Sequence, residues 1–218
     1  TPEPAPVFDA LRDGGPNPAY PVVIEACEGP SLGFELEGQT IICGTVEVPE
    51  DHDAEDAPSL PIEFAILRST SAAPFPDPVV YLHGGPGEGT LGSIARVQAM
   101  FAEHRRTRDI VTFDQRAAGL TARNLLCVES LSENAELVAA QPAEDSTGPD
   151  EAIVALTAAC VSELEAEGVD LSFYNTVMNA RDVRAVVEGL GYDDYNIYGI
   201  SYGTRLALEV MRTIPEGV

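Results

Sequence analysis

Hydrophobic and polar positions follow two rhythms along this chain. Thr40–Val48 and Leu60–Arg68 alternate with period two, as strands with one buried face do, and the link Pro49–Asp56 between them predicts an antiparallel pair. Pro78–His83 and Asp109–Asp114 are instead short apolar runs, the pattern of strands covered on both faces. Helical spacing appears over Ile94–Glu103, then over Asp150–Glu167 and Thr176–Leu190, with a polar stretch at Glu133–Pro149 before them. Gly191 is placed to end the Thr176 helix as a left-handed cap. A last apolar run, Tyr195–Tyr198, leads through Gly199 into a helical pattern over Thr204–Thr213. Residues 1–20, with Pro2, Pro4, Pro6, Pro16 and Pro18, read as an extended arm, so the chain divides into an arm (1–24) and an α/β domain (25–218). Strand alternating with helix predicts a mostly parallel sheet with helices on both faces.

The strand-to-helix junction Gly199-Ile200-Ser201-Tyr202-Gly203 carries the first candidate chemistry. Glycines two residues to either side of a serine suit a sharp turn in which only residues without Cβ can pass close by, and such a turn lifts Ser201 out as a nucleophile. The spacing alone is a weak signal; its context is a second motif, His83-Gly84-Gly85-Pro86-Gly87, directly after the apolar run Val79–Leu82. Three glycines around one proline form a loop whose backbone N–H groups can face a ligand, as an oxyanion hole requires, and the Tyr202 amide at a helix start supplies a further donor.

A serine nucleophile needs a base and an acid to orient it. In this architecture both follow the serine along the chain, yet after Ser201 there is no Asp or His, and the only acids are Glu209 and Glu216. His52, His83 and His104 all lie upstream; His83 reads as a brace for the glycine loop and His104 as the end of a surface helix. The nucleophile strand also needs a parallel neighbour on each side, and one of them is missing from the pattern. A second polypeptide, or a continuation removed by processing, is therefore expected to complete the sheet and to bring the Asp, the His and a cap.

Composition narrows the rest. The 218 residues are 44% hydrophobic, enough for a sizeable core. A net charge of -24 repels phosphate and argues against nucleic acid, and its spread over loops and helix faces reads as a solvated surface. No apolar run is long enough to span a membrane. Pro49–Asp56 mixes carboxylates with His52 but lacks a calcium-loop glycine and regular ligand spacing, so it reads as a solvated hairpin loop; no metal or cofactor is expected. Cys27, Cys43, Cys127 and Cys160 show no CxxC or Cys/His spacing, and of the three possible pairings 27–43 with 127–160 is the simplest, against four free thiols in a cytosolic protein. Disulfides imply a secreted or periplasmic chain.

Taken together, Ile42–Asp51, His83–Gly87, Asp114-Gln115-Arg116, Tyr174-Asn175-Thr176, Ala180-Arg181-Asp182 and Gly199–Thr204 closely resemble the exported α/β-hydrolases of the proline iminopeptidase and tripeptidyl aminopeptidase group. The resemblance covers most of the chain after about residue 25. It implies an α/β-hydrolase fold and a serine hydrolase that cleaves peptides from the amino terminus through an acyl-enzyme on Ser201. It also implies an oxyanion hole from Gly84, Gly85 and Tyr202, and cysteine pairs of the kind proposed above. One departure is Ala117-Ala118-Gly119-Leu120-Thr121 where the family carries Gly-x-Gly and a serine; another point of interest is Glu88, a carboxylate placed to hold a substrate's α-ammonium group. The alternatives are a carboxylesterase or small amide hydrolase of the same fold, and a non-catalytic interaction module.

Overall fold

The computed structural model describes residues 11, 15–27, 32–121, 125, 127 and 151–218. Most of the proline-rich arm and the polar stretch 133–149 lie outside the described residues. In chain order the elements are β1 (Val22–Glu25), β2 (Ile41–Pro49), β3 (Ser59–Leu67), β4 (Val79–Leu82), α1 (Ile94–Met100), β5 (Ile110–Phe113), α2 (Glu151–Ala166), α3 (Thr176–Gly189), β6 (Asn196–Gly199) and α4 (Tyr202–Thr213). Two compact units result: residues 1–122 with 175–218, and residues 123–174.

In the larger unit six strands form one sheet in the order β1-β2-β3-β5-β4-β6. The expectation of a mostly parallel sheet is corrected to a mixed one. β1–β2, β2–β3 and β3–β5 pair antiparallel, and only β4–β5 and β4–β6 pair parallel. The additions are β1, which the pattern does not predict, and the pairing of β3 with β5; the β2–β3 hairpin and the parallel β4–β5 pair follow connection length. The loop after β2 is closed by Glu50 N–H donating to the Pro58 carbonyl (2.8 Å), and so short a link can only return the chain antiparallel, whereas β4 to β5 spans a helical crossover. The sequence pattern predicts no strand before Thr40; β1 is there because Val22 is buried while its neighbours Val23, Ile24 and Glu25 stay exposed, a strand with too little apolar periodicity to announce itself.

Side-chain alternation splits the core into two layers. Phe64, Ile66, Val80, Leu82, Val111 and Phe113 face α3 and α4, where Val183, Val186, Val187, Leu206 and Val210 meet them. Ala65, Leu67, Val79, Tyr81 and Ile110 face the opposite way, onto Leu91, Ile94, Val97 and Phe101. Helices therefore do cover both faces, and every residue of β4 and β5 is buried. Each such Val, Leu, Ile or Phe contributes about 1.5–3 kcal/mol by burial.

α3 is defined at both ends by local chemistry. The Asn175 side chain accepts from the amides of Val177 (2.9 Å) and Met178 (3.1 Å). At the other end Gly191, at φ +83°, lets Tyr192 N–H reach the Val187 carbonyl and Gly191 N–H the Glu188 carbonyl, a Schellman closure. β6 pairs with β4 alone among the described residues, and Tyr198 and Ile200 are exposed at 40% and 38%.

Cys27 is joined to Cys43, tying the segment after β1 to β2, and in the smaller unit Cys127 is joined to Cys160 of α2. A buried ion pair adds a further tie: Arg105 meets Glu35 with both side chains largely sealed, and donates to the carbonyls of Arg68 (2.6 Å) and Thr40 (3.0 Å). Among the described residues no helix is long and apolar enough to cross a membrane, and no three His, Cys, Asp or Glu gather as a metal site needs.

Candidate active site

Ser201 sits where β6 becomes α4, with φ +53° and ψ -121°. A non-glycine residue in that region costs on the order of 1–3 kcal/mol and persists only where its surroundings fix it. They do so here. Ile200 N–H donates to the Leu82 carbonyl (3.1 Å), Gly203 N–H to the Ile200 carbonyl (2.8 Å), and the Ser201 carbonyl accepts from Thr204 Oγ1 (2.6 Å) and Thr204 N–H (3.0 Å). A Cβ on Gly203 would overlap the Leu82 carbonyl oxygen, so glycine is what lets α4 start against the end of β4. The serine is left exposed at the top of the junction. Tyr202, next in line, has its hydroxyl 3.0 Å from Thr176 Oγ1 and so ties the junction to the start of α3. As the first residue of α4 its N–H has no carbonyl within the helix to bond.

The glycine loop comes up against this serine. A Cβ at Gly84 would lie 2.9 Å from Ser201 Cβ and 3.4 Å from Ser201 Oγ. The loop is held from both ends by side chains that directly follow β5. Gln115 Nε2 donates to the His83 carbonyl (3.1 Å). Asp114, 1% exposed, accepts from the amides of Thr90 (2.5 Å), Leu91 (3.1 Å) and Leu120 (2.7 Å). The His83 ring, expected to brace the loop, lies 3.2 Å from the Gly84 carbonyl through Nδ1 and 3.7 Å from Glu88 Oε2. The Glu88 side chain itself is 73% exposed.

The remaining candidates are taken up elsewhere. His52, placed by its sequence in a solvated loop, is half-buried with its side chain turned in: its Nε2 lies 2.8 Å from Asp182 Oδ1. Arg116 clasps the same carboxylate through Nε (2.6 Å) and Nη2 (2.6 Å), and donates from Nη1 to the Glu50 carbonyl (2.8 Å). His104 stacks edge-on to Phe101 and Tyr198 at centroid distances of 5.6 and 6.0 Å. Glu209 pairs with Arg212, whose hydrogen bond holds the carboxyl below its ordinary value. Among the described residues, no histidine hydrogen-bonds to Ser201. The structure thus gathers Ser201, Gly84 and the Tyr202 amide, and adds two residues to which the sequence assigns no part, Asp114 and Gln115. Their one signal is the run of three polar residues, Asp114-Gln115-Arg116, straight after a fully buried strand; all three are buried, the first two bonded to the glycine loop and Arg116 to Asp182 of α3.

A family profile described as alpha/beta hydrolase fold matches residues 77–218, from β4 through α4. The chain belongs to this family. Serine protease Hip1 of Mycobacterium tuberculosis is 26% identical over 213 residues, covering 95% of this α/β-hydrolase chain and 40% of Hip1. Tripeptidyl aminopeptidase of Streptomyces lividans is 28% identical over 183 residues, covering 82% of the chain and 34% of that protein. The chain therefore spans about two fifths or less of the length of these relatives. The solved structure of proline iminopeptidase from Mycobacterium smegmatis aligns with a TM-score of 0.44 and 19% identity, over 79% of this chain and 40% of that one.

In this α/β-hydrolase the departure at Ala117 has a structural counterpart. Ala117 adopts φ +62°, the left-handed region that a glycine enters freely and an alanine does not. An alanine in this turn holds strain that a glycine would not.

Proposed function

We propose that this chain carries the nucleophile and oxyanion hole of an extracytoplasmic serine hydrolase that cleaves peptides from the amino terminus. The observation that carries the reading is the strained backbone of Ser201 at φ +53°, with Gly84 packed against its side chain. Ser201 Oγ attacks the scissile carbonyl and gives its proton to a histidine; the C–N bond breaks as that histidine returns the proton to the leaving amine. Water then attacks the acyl-enzyme and regenerates Ser201. Amides of Gly84, Gly85 and Tyr202 meet the oxyanion, each such donor being worth about 10²–10³ in rate, and the start of α4 adds favourable potential.

The histidine, its orienting aspartate and a cap come from chain outside these 218 residues, which also pairs with β6. Support comes from the edge of β6, which has no neighbour beyond β4 among the described residues, and from Leu208 and Met211 of α4, exposed at 64% and 45%. Glu88, exposed and just past the glycine loop, holds the substrate's α-ammonium group. The two disulfides and the similarity to a serine protease and a tripeptidyl aminopeptidase support the exported peptidase reading over a cytosolic one.

Aminoacyl and short peptidyl anilides with free and with blocked amino termini, set beside short acyl esters, test this reading in the complete native protein and in its Ser201→Ala variant. Cleavage only of free-amine anilides, lost in the variant, is expected. Preference for acyl esters would move the assignment to a carboxylesterase, and activity retained by Ser201→Ala would remove Ser201 from the mechanism.

A further inference from the structure

The oxyanion loop is made of glycine backbone, and something must aim its N–H groups. The His83–Gly84 peptide is trans, since the only cis bond among the described residues is Gly85–Pro86. In a trans peptide the carbonyl of one residue and the N–H of the next point in opposite directions from one rigid plane. Whatever fixes the His83 carbonyl therefore fixes the direction of the Gly84 N–H. The group on that carbonyl is Gln115 Nε2, at 3.1 Å; only the amide nitrogen of a glutamine can donate to a carbonyl, so the side chain's orientation is set as well. Gln115 is 4% exposed and stands between Asp114 and Arg116, both buried and both bonded, so its own position is fixed. The other side of the His83 carbonyl is closed by Gly203, where an added Cβ would lie 2.9 Å from the oxygen.

We propose that Gln115 is a positioning residue of the oxyanion hole: by holding the His83 carbonyl it turns the Gly84 N–H toward the space over Ser201 Oγ. The inference rests on the serine-hydrolase reading above. Gln115 touches neither substrate nor nucleophile, and its effect falls on the step in which negative charge develops rather than on binding.

Phosphonylation by a serine-directed fluorophosphonate separates these terms, because reversible binding and the covalent step are measured as KI and kinact. In the complete protein, Gln115→Met removes the donor at similar size, and Gln115→Glu sets an acceptor in its place. Both are expected to lower kinact about 10- to 100-fold, somewhat less than deletion of a hole donor, with KI within twofold of the parent. The Gly84 amide resonance in a ¹H–¹⁵N spectrum is expected to shift in both variants, while resonances of β4 and β5 stay in place. A kinact within twofold of the parent in both variants, or a loss divided equally between KI and kinact with a lowered melting temperature, overturns the proposal. A parent protein that the probe never labels at Ser201 overturns the serine-hydrolase reading instead, and the Gln115 proposal then stands or falls on the Gly84 resonance.

Discussion

Replacing Arg116 by methionine takes one side from the most deeply buried ion pair of the larger unit. The Asp182 carboxylate accepts from Arg116 Nε and Nη2, each at 2.6 Å, and lies 2.8 Å from His52 Nε2, while both members of the Arg116–Asp182 pair are 0% exposed. Without Arg116 the carboxylate stays sealed with one hydrogen bond of the three, and the Glu50 carbonyl loses its donor at 2.8 Å. Breaking a buried pair by removing one partner costs about 3–5 kcal/mol. For a chain of this size each kcal/mol shifts the melting temperature by about 2–4 °C, so Arg116→Met is expected to lower it by roughly 6–20 °C. Most of that cost is the stranded charge rather than the worth of the bond. Arg116→Met combined with Asp182→Leu should therefore recover at least about 2 kcal/mol relative to the sum of the single variants. Urea denaturation of the four proteins at matched pH closes the cycle. A single-variant loss below 1 kcal/mol, or strict additivity in the double variant, would refute the reasoning.

Two further outcomes follow from the same structure. At Ala117, φ +62° costs an alanine about 1 kcal/mol, so Ala117→Gly should raise stability by up to that amount in thermal melts while the β-branched Ala117→Val lowers it by about 1–2 kcal/mol; a destabilised glycine variant contradicts the strain. At Glu35 burial alone would raise the carboxyl, but hydrogen bonds from Arg105, Thr40 and Gln98 and the charge of Arg105 outweigh it and hold the group below its ordinary value of 4.5. A depressed folded value makes this stabilisation fully present above about pH 4.5 and lost as pH falls through that lower value, so Glu35→Gln should flatten the acid limb of the stability curve; parallel acid limbs would show that Glu35 contributes nothing there.

Legibility in the sequence tracked how local each cause was. β4 and β5 were readable because both faces of each are covered and all their residues are apolar or buried, and α3 because Asn175 and Gly191 mark its ends. The Ser201 junction was readable because its demands, two glycines and a strand before a helix, fall within five residues. β1 escaped because only Val22 of its four residues is buried, and the sheet's antiparallel share was underestimated because β3 pairs with β5 across an intervening strand in sequence. His52 escaped for a different reason: its partner lies 130 residues away, and nothing in an acidic loop distinguishes a histidine that docks from one that does not. α1 ends at Met100, short of the Glu103 predicted, and the exposed His104 meets Phe101 and Tyr198 edge-on, contacts that belong to the assembled sheet. Gln115 and Asp114 stood out only as polar residues in an apolar neighbourhood, and their work on the glycine loop is visible only once β4 and β5 lie side by side.

The central claim is that Ser201 is the nucleophile. Peptide mapping by mass spectrometry of the complete protein after reaction with a fluorophosphonate tests it most directly. A single adduct on Ser201, within the peptide that holds Gly199–Gly203, is expected, with no adduct in Ser201→Ala. An adduct on any other residue, or labelling that survives the substitution, would contradict it.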